Sequence, residues 1–425
     1  MEPIMTAVLH YSAPPVVGGV ESVIGSHARV FNEAGYMLTV IAGRGDGEAL
    51  PPGTGFILIP GMDTQHPEVL EMAAELENGR VPPGFQPMAD RLAATLEPVL
   101  HRFDHVIVHN IFSKHFNLPL TAALAQLLDS GVIRRCIAWC HDSSWTSPNS
   151  RSKVHEGYPW DLLRTYRPGV NYVAVSQQRQ HELAGLMGVS PGQVRVVYNG
   201  VDARVQLGLS EKAFDLVQRL NLFESDLVLL MPVRLTRAKN VEFALQVIAG
   251  LKERKRRVKV VLTGPPDPHA EDSLNYWGEL QELRKALGVE EEMRFVYESG
   301  PDASQAYTID NHVVGELYRV CDAVFIPSLR EGFGMPVLEA GLAGIPVVCT
   351  EIPAAKEIGD SDVLLFSPAS DPDGVAAKLL AWVESSPVYR MRRRVRQNYT
   401  WDSIFKHQIE PLLRSTVIRM DDVIR

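Results

Sequence analysis

Short apolar runs alternate with longer amphipathic stretches from one end of the chain to the other. "TAVLHY" (6–11) reads as a strand followed by the turn "PPVVGG". The next stretch, "VESVIGSHARVFNEA", puts Val20, Ile24, Ala28 and Phe31 on one helical face and is stopped by Gly35. "YMLTVIAG", "DHVIVHN", "RRCIAWCHD", "NYVAVSQ" and "VRVVYNG" then read as strands rich in β-branched residues. They are apolar without strict alternation, which is the pattern of parallel strands covered by helices on both faces. After "NGVDARVQLGLSEKAFDLVQRLNLFESD" the pattern restarts with "LVLLMPV", "RVKVVLTG", "MRFVYES", "DAVFIPS", "IPVVCT" and "VLLFSP". Helical patterns "NVEFALQVIAGLKER", "YWGELQELRKALG", "GELYRV" and "PDGVAAKLLAWVES" fall among these strands. The last segment, "TWDSIFKHQIEPLLR", is an amphipathic helix with Trp401, Ile404, Phe405 and Ile409 on one side.

This succession predicts the α/β class: two Rossmann-like, doubly wound domains facing each other across a cleft, with ligand at the carboxyl ends of both sheets. A chain of 425 residues is also longer than one core usually serves. The link between the halves lies between Asn199 and Asp226, placed at residues 205/206.

Composition narrows the partners. A net charge of −9 and a pI near 5.8 argue against nucleic acid. The basic runs "KERKRR" (252–257) and "YRMRRRVRQ" (389–397) read as solvated helix faces, with an anionic lipid or acidic acceptor patch as the sharper alternative. No apolar stretch approaches the ~20 residues of a membrane span, and the N-terminal run is too short for a signal peptide. Cys136 and Cys140 share one strand, ~13 Å apart, too far for a disulfide. With Cys321 and Cys349 they read as buried free thiols of a cytoplasmic protein.

Candidate chemistry gathers after strands. In "SLREGFGMPVLEA" (328–340), glycines open a helix carrying Pro336 near its first position, a place suited to anions, yet Glu331 and Glu339 flank it. In "MPVRLTRAKNVEFAL", Arg234 and Lys239 precede a helix whose dipole opposes them, so an anion nearby is favoured. "VVGGVES" repeats the glycine-to-helix theme at Gly18 and Gly19; alone, glycine pairs are common turn formers. His141 and Asp142 follow the strand "IAWC".

"EGFGMPVLE", two glutamates with seven residues between them, resembles the donor-site signature of retaining glycosyltransferases of family 4, the group 1 glycosyltransferases with the GT-B fold. "ELYRVCDAVFIPSLREGFGMPVLEAGLAGIPVVCTEIPAAKEI" resembles that family almost continuously, and the likeness is thinnest from about 53 to 102. The resemblance implies domains at 1–205 (acceptor) and 206–395 (nucleotide sugar), with 396–425 a helix crossing back onto the first. It implies that Glu331 bonds donor-sugar hydroxyls and Glu339 the ribose hydroxyls. The amides of Gly332, Phe333, Gly334 and Met335 would face sugar and diphosphate. Arg234 and Lys239 would neutralise the departing diphosphate, and Gly18, Gly19 and Glu21 match the family's Gly-Gly-x-Glu. His141 would line the site near the reacting carbon or the sugar's 6-hydroxyl, with Asp142, His109 and Ser176 on the acceptor side. "VRVVYNGVD" is similar to an Asn-Gly-x-Asp element read here as turn and hinge at Asn199, Gly200 and Asp202.

The implied activity is transfer of a hexose from a UDP- or GDP-sugar to a hydroxyl of a small-molecule, saccharide or lipid-linked acceptor, with retention and with no metal or cofactor required. The alternatives are another GT-B enzyme, a phosphorylase or nucleotide-sugar epimerase, or a non-catalytic nucleotide-sugar-binding protein. "DSD" (360–362) and "DPD" (371–373) mimic a metal-binding Asp-x-Asp but read as turns and a helix start. His105 and His109, ~13 Å apart on one strand, make no metal pair.

Overall fold

The structure, a computed structural model, describes residues 4–254, 256–267, 273–302 and 304–414. The chain forms two compact units, one of Met1–Val201 with Trp401–Arg425, the other of Asp202–Thr400.

In the first unit seven strands, β1 (Met5–Ser12), β2 (Met37–Arg44), β3 (Gly55–Leu58), β4 (His105–His109), β5 (Cys136–Cys140), β6 (Val170–Ala174) and β7 (Val194–Val196), order as β3-β2-β1-β4-β5-β6-β7. Every pairing is parallel. The chain winds outward from β1 to one edge and returns to β4 for the other, so the strand order reverses between β1 and β4, where such sheets open a crevice. The lack of polar alternation has a direct cause. On β4, Val106 and Val108 enter a core with Leu96 and Leu120, while Ile107 enters the opposite core with Ile24, Phe31 and Trp139.

The second unit repeats the plan with β8 (Leu227–Met231), β9 (Val258–Leu262), β10 (Met293–Phe295), β11 (Ala323–Ile326), β12 (Val347–Thr350) and β13 (Leu364–Phe366), ordered β10-β9-β8-β11-β12-β13 and all parallel. Its reversal lies between β8 and β11. Leu227, Leu229 and Met231 face one core, Val228 and Leu230 the other.

Several expectations need correction. The stretch of thinnest resemblance holds β3 and two helices, Pro67–Glu77 and Phe85–Leu100. β3 was missed because it is a four-residue edge strand starting at glycine and only half buried. The units divide at Val201/Asp202 and Thr400/Trp401, not at 205/206 and 395/396. Arg204 stacks on Phe214, and Arg396 is buried in an ion pair with Asp322 at 2.9 Å, which holds both flanks in the second unit. Trp401, Ile404, Phe405 and Ile409 join the first unit's core, as their common face predicted, through a π-helical turn over Phe405–Ile409. Gly200 is a packing position rather than a hinge glycine: a Cβ there would lie 2.8 Å from the Trp401 amide. Asp202 caps the short helix Ala203–Gln206.

The basic runs are solvated only in part: Lys252, Arg257, Arg390 and Arg394 are exposed, yet most of the basic side chains are tied to acids or carbonyls. Arg257 and Arg393 converge on Asp226 at 3.4 and 3.0 Å, Lys252 pairs with Glu292 at 3.0 Å, and Arg254 and Arg256 pair with Asp373 and Glu384 at 2.5 Å each. Burial would raise the Asp226 pKa, but the bonds from Arg257, Gln397 and Arg393 outweigh it and hold the carboxyl well below its usual range. Asp371 caps the helix Pro372–Ser385, so both acids of "DPD" have structural roles. All four cysteines are buried and free, and among the described residues no helix is long and apolar enough to cross a membrane.

Candidate functional site

Two clusters stand at the carboxyl ends of strands, one in each unit, and each lies where its strand order reverses.

In the first unit, the helix Gly19–Glu33 starts just after β1, with Gly18 as its N-cap. Glu21 turns back beneath this start, accepting from Ser12 Oγ at 2.5 Å, and a Cβ on Gly18 would lie 2.1 Å from Glu21 Oε2. Gly18 is therefore glycine to leave room for that buried carboxylate. Nothing lies within 4 Å of a Cβ at Gly19, whose outer side is open. The amides of this first turn have no intrahelical acceptor, so they can meet an anion.

Three adjacent strands bring His10 (β1), His109 (β4) and His141 (after β5) side by side. His10 Nδ1 donates to the His109 carbonyl at 3.0 Å, and His109 Nδ1 and His141 Nε2 are hydrogen-bonded at 3.0 Å, the two rings stacked at 5.3 Å. The His141 amide bonds Asn110 Oδ1 at 2.8 Å, with Asn110 left-handed at φ 60° to reach it. His27, from the helix Gly19–Glu33, packs behind, its ring 4.7 Å from Trp139 and 5.2 Å from Trp401. Burial pushes all four histidines down: His27 to about 3, His141 to about 4 with help from His10, His109 well below its ordinary value, and His10 in the same direction. They are neutral at pH 7.

His109 thus departs from its expected place on the acceptor side. It is fully buried and stands behind His141, so an acceptor does not reach it. Asp142 is held by Lys114 Nζ at 3.0 Å and by Arg179 at 3.5 Å. Burial alone would raise its pKa; the bond and charge of Lys114, the Ser143 amide and the Arg179 charge together outweigh this and lower it. Ser176 caps the helix Gln177–Met187, its oxygen accepting from the Arg179 amide. Sequence reasoning missed His10, His27, Asn110 and Lys114. No local pattern marks them, because strand adjacency alone assembles them.

In the second unit, the loop after β8 carries Arg234 and ends in the turn Arg237–Lys239, and the loop after β11 carries Glu331. The Leu329 amide donates to the Ala238 carbonyl at 2.8 Å, tying the loops together. Across that tie Lys239 Nζ bonds both oxygens of Glu331 at 2.7 Å, with side chains 20% and 11% exposed. Arg234 is exposed and makes no hydrogen bond or ion pair among the described residues. Its backbone is packed on Gly264, where a Cβ would lie 2.4 Å from the Val233 carbonyl and 2.6 Å from Arg234 Cα.

Gly334 caps the helix Met335–Ala343 at φ 92°, a left-handed conformation that favours glycine. Residues 329–333 and 352–354, with Glu357 and Ile358, line a pocket of about 360 Å³ beside it. Phe333 and Met335 are exposed. Glu339 is also exposed, with Oε2 accepting from the buried Tyr318 hydroxyl at 2.5 Å. Glu331 and Lys239 therefore meet each other, while Arg234 and one oxygen of Glu339 stay open.

Residues 17–205 match the family model described as Glycosyltransferase Family 4, and residues 214–400 the one described as Glycosyl transferases group 1. An uncharacterized glycosyltransferase of Methanocaldococcus jannaschii is 26% identical over 257 residues, 59% of this chain and 61% of the relative. Mannosylglucosylglycerate synthase of Petrotoga mobilis is 24% identical over 269 residues, 60% of this chain and 61% of the relative. A D-inositol 3-phosphate glycosyltransferase of Kribbella flavida is 28% identical over 222 residues, 49% of this chain and 47% of the relative. The matched part of the chain thus spans about half to three fifths of these relatives' length. A crystal structure of a glycosyltransferase from Rickettsia africae aligns over 98% of this chain and 100% of its own at 17% identity, with a TM-score of 0.37. The two family models between them take in every candidate residue from Gly18 to Glu339. The chain belongs to the glycosyltransferases, its first unit matching family 4 and its second group 1.

Proposed function

We propose that the protein is a retaining glycosyltransferase that moves a hexose from a UDP- or GDP-sugar to an acceptor hydroxyl, without a required metal. The Lys239–Glu331 contact carries this reading. It joins two segments 92 residues apart at the reversal between β8 and β11, with Arg234, unpaired among the described residues, in one loop and a glycine-opened helix in the other. Fixed cations stabilise the charge that develops when a sugar–phosphate bond breaks. In this reading Arg234 and Lys239 hold the departing diphosphate, and the amides from Gly332 to Met335 face sugar and phosphate. Glu331 receives sugar hydroxyls and Glu339 ribose hydroxyls, since a carboxylate accepts several hydrogen bonds.

The bond from the anomeric carbon to the phosphate oxygen breaks while the acceptor oxygen approaches the same face. The acceptor proton passes to an oxygen of the departing phosphate, so no protein carboxylate has to act as nucleophile. A neutral His141 suits this course, since its ring can bond a sugar hydroxyl without placing positive charge beside an oxocarbenium-like carbon. The names of two relatives, mannosylglucosylglycerate synthase and D-inositol 3-phosphate glycosyltransferase, support a sugar-transfer reading.

Thermal-shift screening against UDP-, GDP- and ADP-sugars, followed by hydrolysis and transfer assays on the best binder, tests the proposal. One sugar nucleotide should raise Tm and be turned over with the anomeric configuration kept. Silence towards all of them, or an inverted product, would sink it.

A further inference from the structure

Lys239 and Glu331 have opposite tasks in the donor reading, phosphate for one and sugar hydroxyls for the other, yet in the structure they neutralise each other. Nζ sits 2.7 Å from both carboxylate oxygens, and both side chains are mostly withdrawn from water. The backbone bond from Leu329 to Ala238 fixes the spacing of the two loops, so the pair is built in rather than a chance meeting of long side chains.

Resting on that donor reading, we propose that the Lys239–Glu331 pair discriminates the sugar nucleotide from the bare nucleoside diphosphate. A diphosphate arriving alone meets a cation already neutralised, and its own charge stands beside a carboxylate. Drawing Lys239 towards phosphate also leaves Glu331 short of hydrogen bonds in a place water barely reaches, which is costly for a charged group. A sugar nucleotide removes both penalties together, because its hydroxyls donate to Glu331 while its phosphates take Lys239. Binding of the two halves of the donor is thereby coupled. After transfer the sugar is gone, Glu331 reclaims Lys239, and the nucleoside diphosphate is held weakly.

Calorimetric titration with UDP, GDP, ADP and their glucose or mannose conjugates tests this in the wild type, Glu331→Gln, Lys239→Met and the double variant. Glu331→Gln keeps shape and an acceptor oxygen but removes the charge. It should tighten the bare nucleoside diphosphate roughly tenfold and lower its discrimination against the sugar conjugate by at least that factor. In the Lys239→Met background the same change should give no gain. The inference falls if the wild type binds the bare diphosphate and Glu331→Gln binds it no better, or if the gain persists without Lys239. A wild type that binds none of these probes overturns the donor reading, and this inference with it. Unfolding midpoints of the variants separate loss of fold from loss of affinity.

Discussion

Acid should destabilise the first unit between pH 7 and pH 5 through its buried histidines. His27 is fully buried, neither of its ring nitrogens has a partner, and its folded-state pKa is about 3; that of His141 is about 4. For a base whose folded pKa lies below its unfolded value near 6.5, the unfolded chain takes up the proton first. Stability is intact above the unfolded value and falls as pH drops from there towards the folded one. Between pH 7 and pH 5 each of these two residues costs about 2 kcal/mol, and His10 and His109 act in the same direction. Against a domain stability of about 5–15 kcal/mol, the loss from two residues alone is severe. Urea unfolding at pH 7, 6 and 5, followed by tryptophan fluorescence in a Trp277→Phe, Trp382→Phe background, reads this unit, because the other four tryptophans, Trp139, Trp145, Trp160 and Trp401, lie within it. His27→Leu removes one titrating group and should flatten the pH dependence by about 1 kcal/mol per pH unit between pH 7 and 5. Equal slopes in variant and wild type, or a wild type equally stable at pH 7 and 5, would refute the reasoning.

Arg234→Ala and Lys239→Ala should each lower kcat by roughly a hundredfold or more in transfer assays, and wild-type turnover in either would remove them from the diphosphate. Gly264→Ala should mimic a milder Arg234 loss, because the added Cβ meets the Arg234 backbone; unchanged kcat/KM would show that the loop yields freely. Glu339→Ala should weaken nucleoside diphosphate binding, and Tyr318→Phe, which deletes the 2.5 Å bond to Glu339, should do so by about 1 kcal/mol, measured by calorimetry. Arg396→Met leaves the buried Asp322 carboxylate unpaired and should cost about 3–5 kcal/mol in urea unfolding; a change under about 1 kcal/mol would count against a buried-charge penalty.

Local patterns carry local information, and this chain shows how far that reaches. Runs such as "DHVIVHN" and "LVLLMPV" announce strands buried on both faces, because every residue must be apolar when alternate side chains enter two different cores. The glycine turns, the two glutamates and the cations after β8 could be located as well, since each sits within a few residues of a strand end. β3 and its neighbouring helices were missed, and no residue in that stretch demands one structure. Tertiary structure alone decided who meets whom. Strand order puts His10, His109 and His141 in one row, turning a supposed acceptor contact into a buried support. It also sets Lys239 against Glu331, so two charges read from sequence as independent ligands become one pair. The basic run near the C-terminus became an internal clamp once Asp226 and Asp322 folded beneath it. Sequence determined each group's chemistry and the strand it follows; the pairing of distant strands determined the charge each group presents.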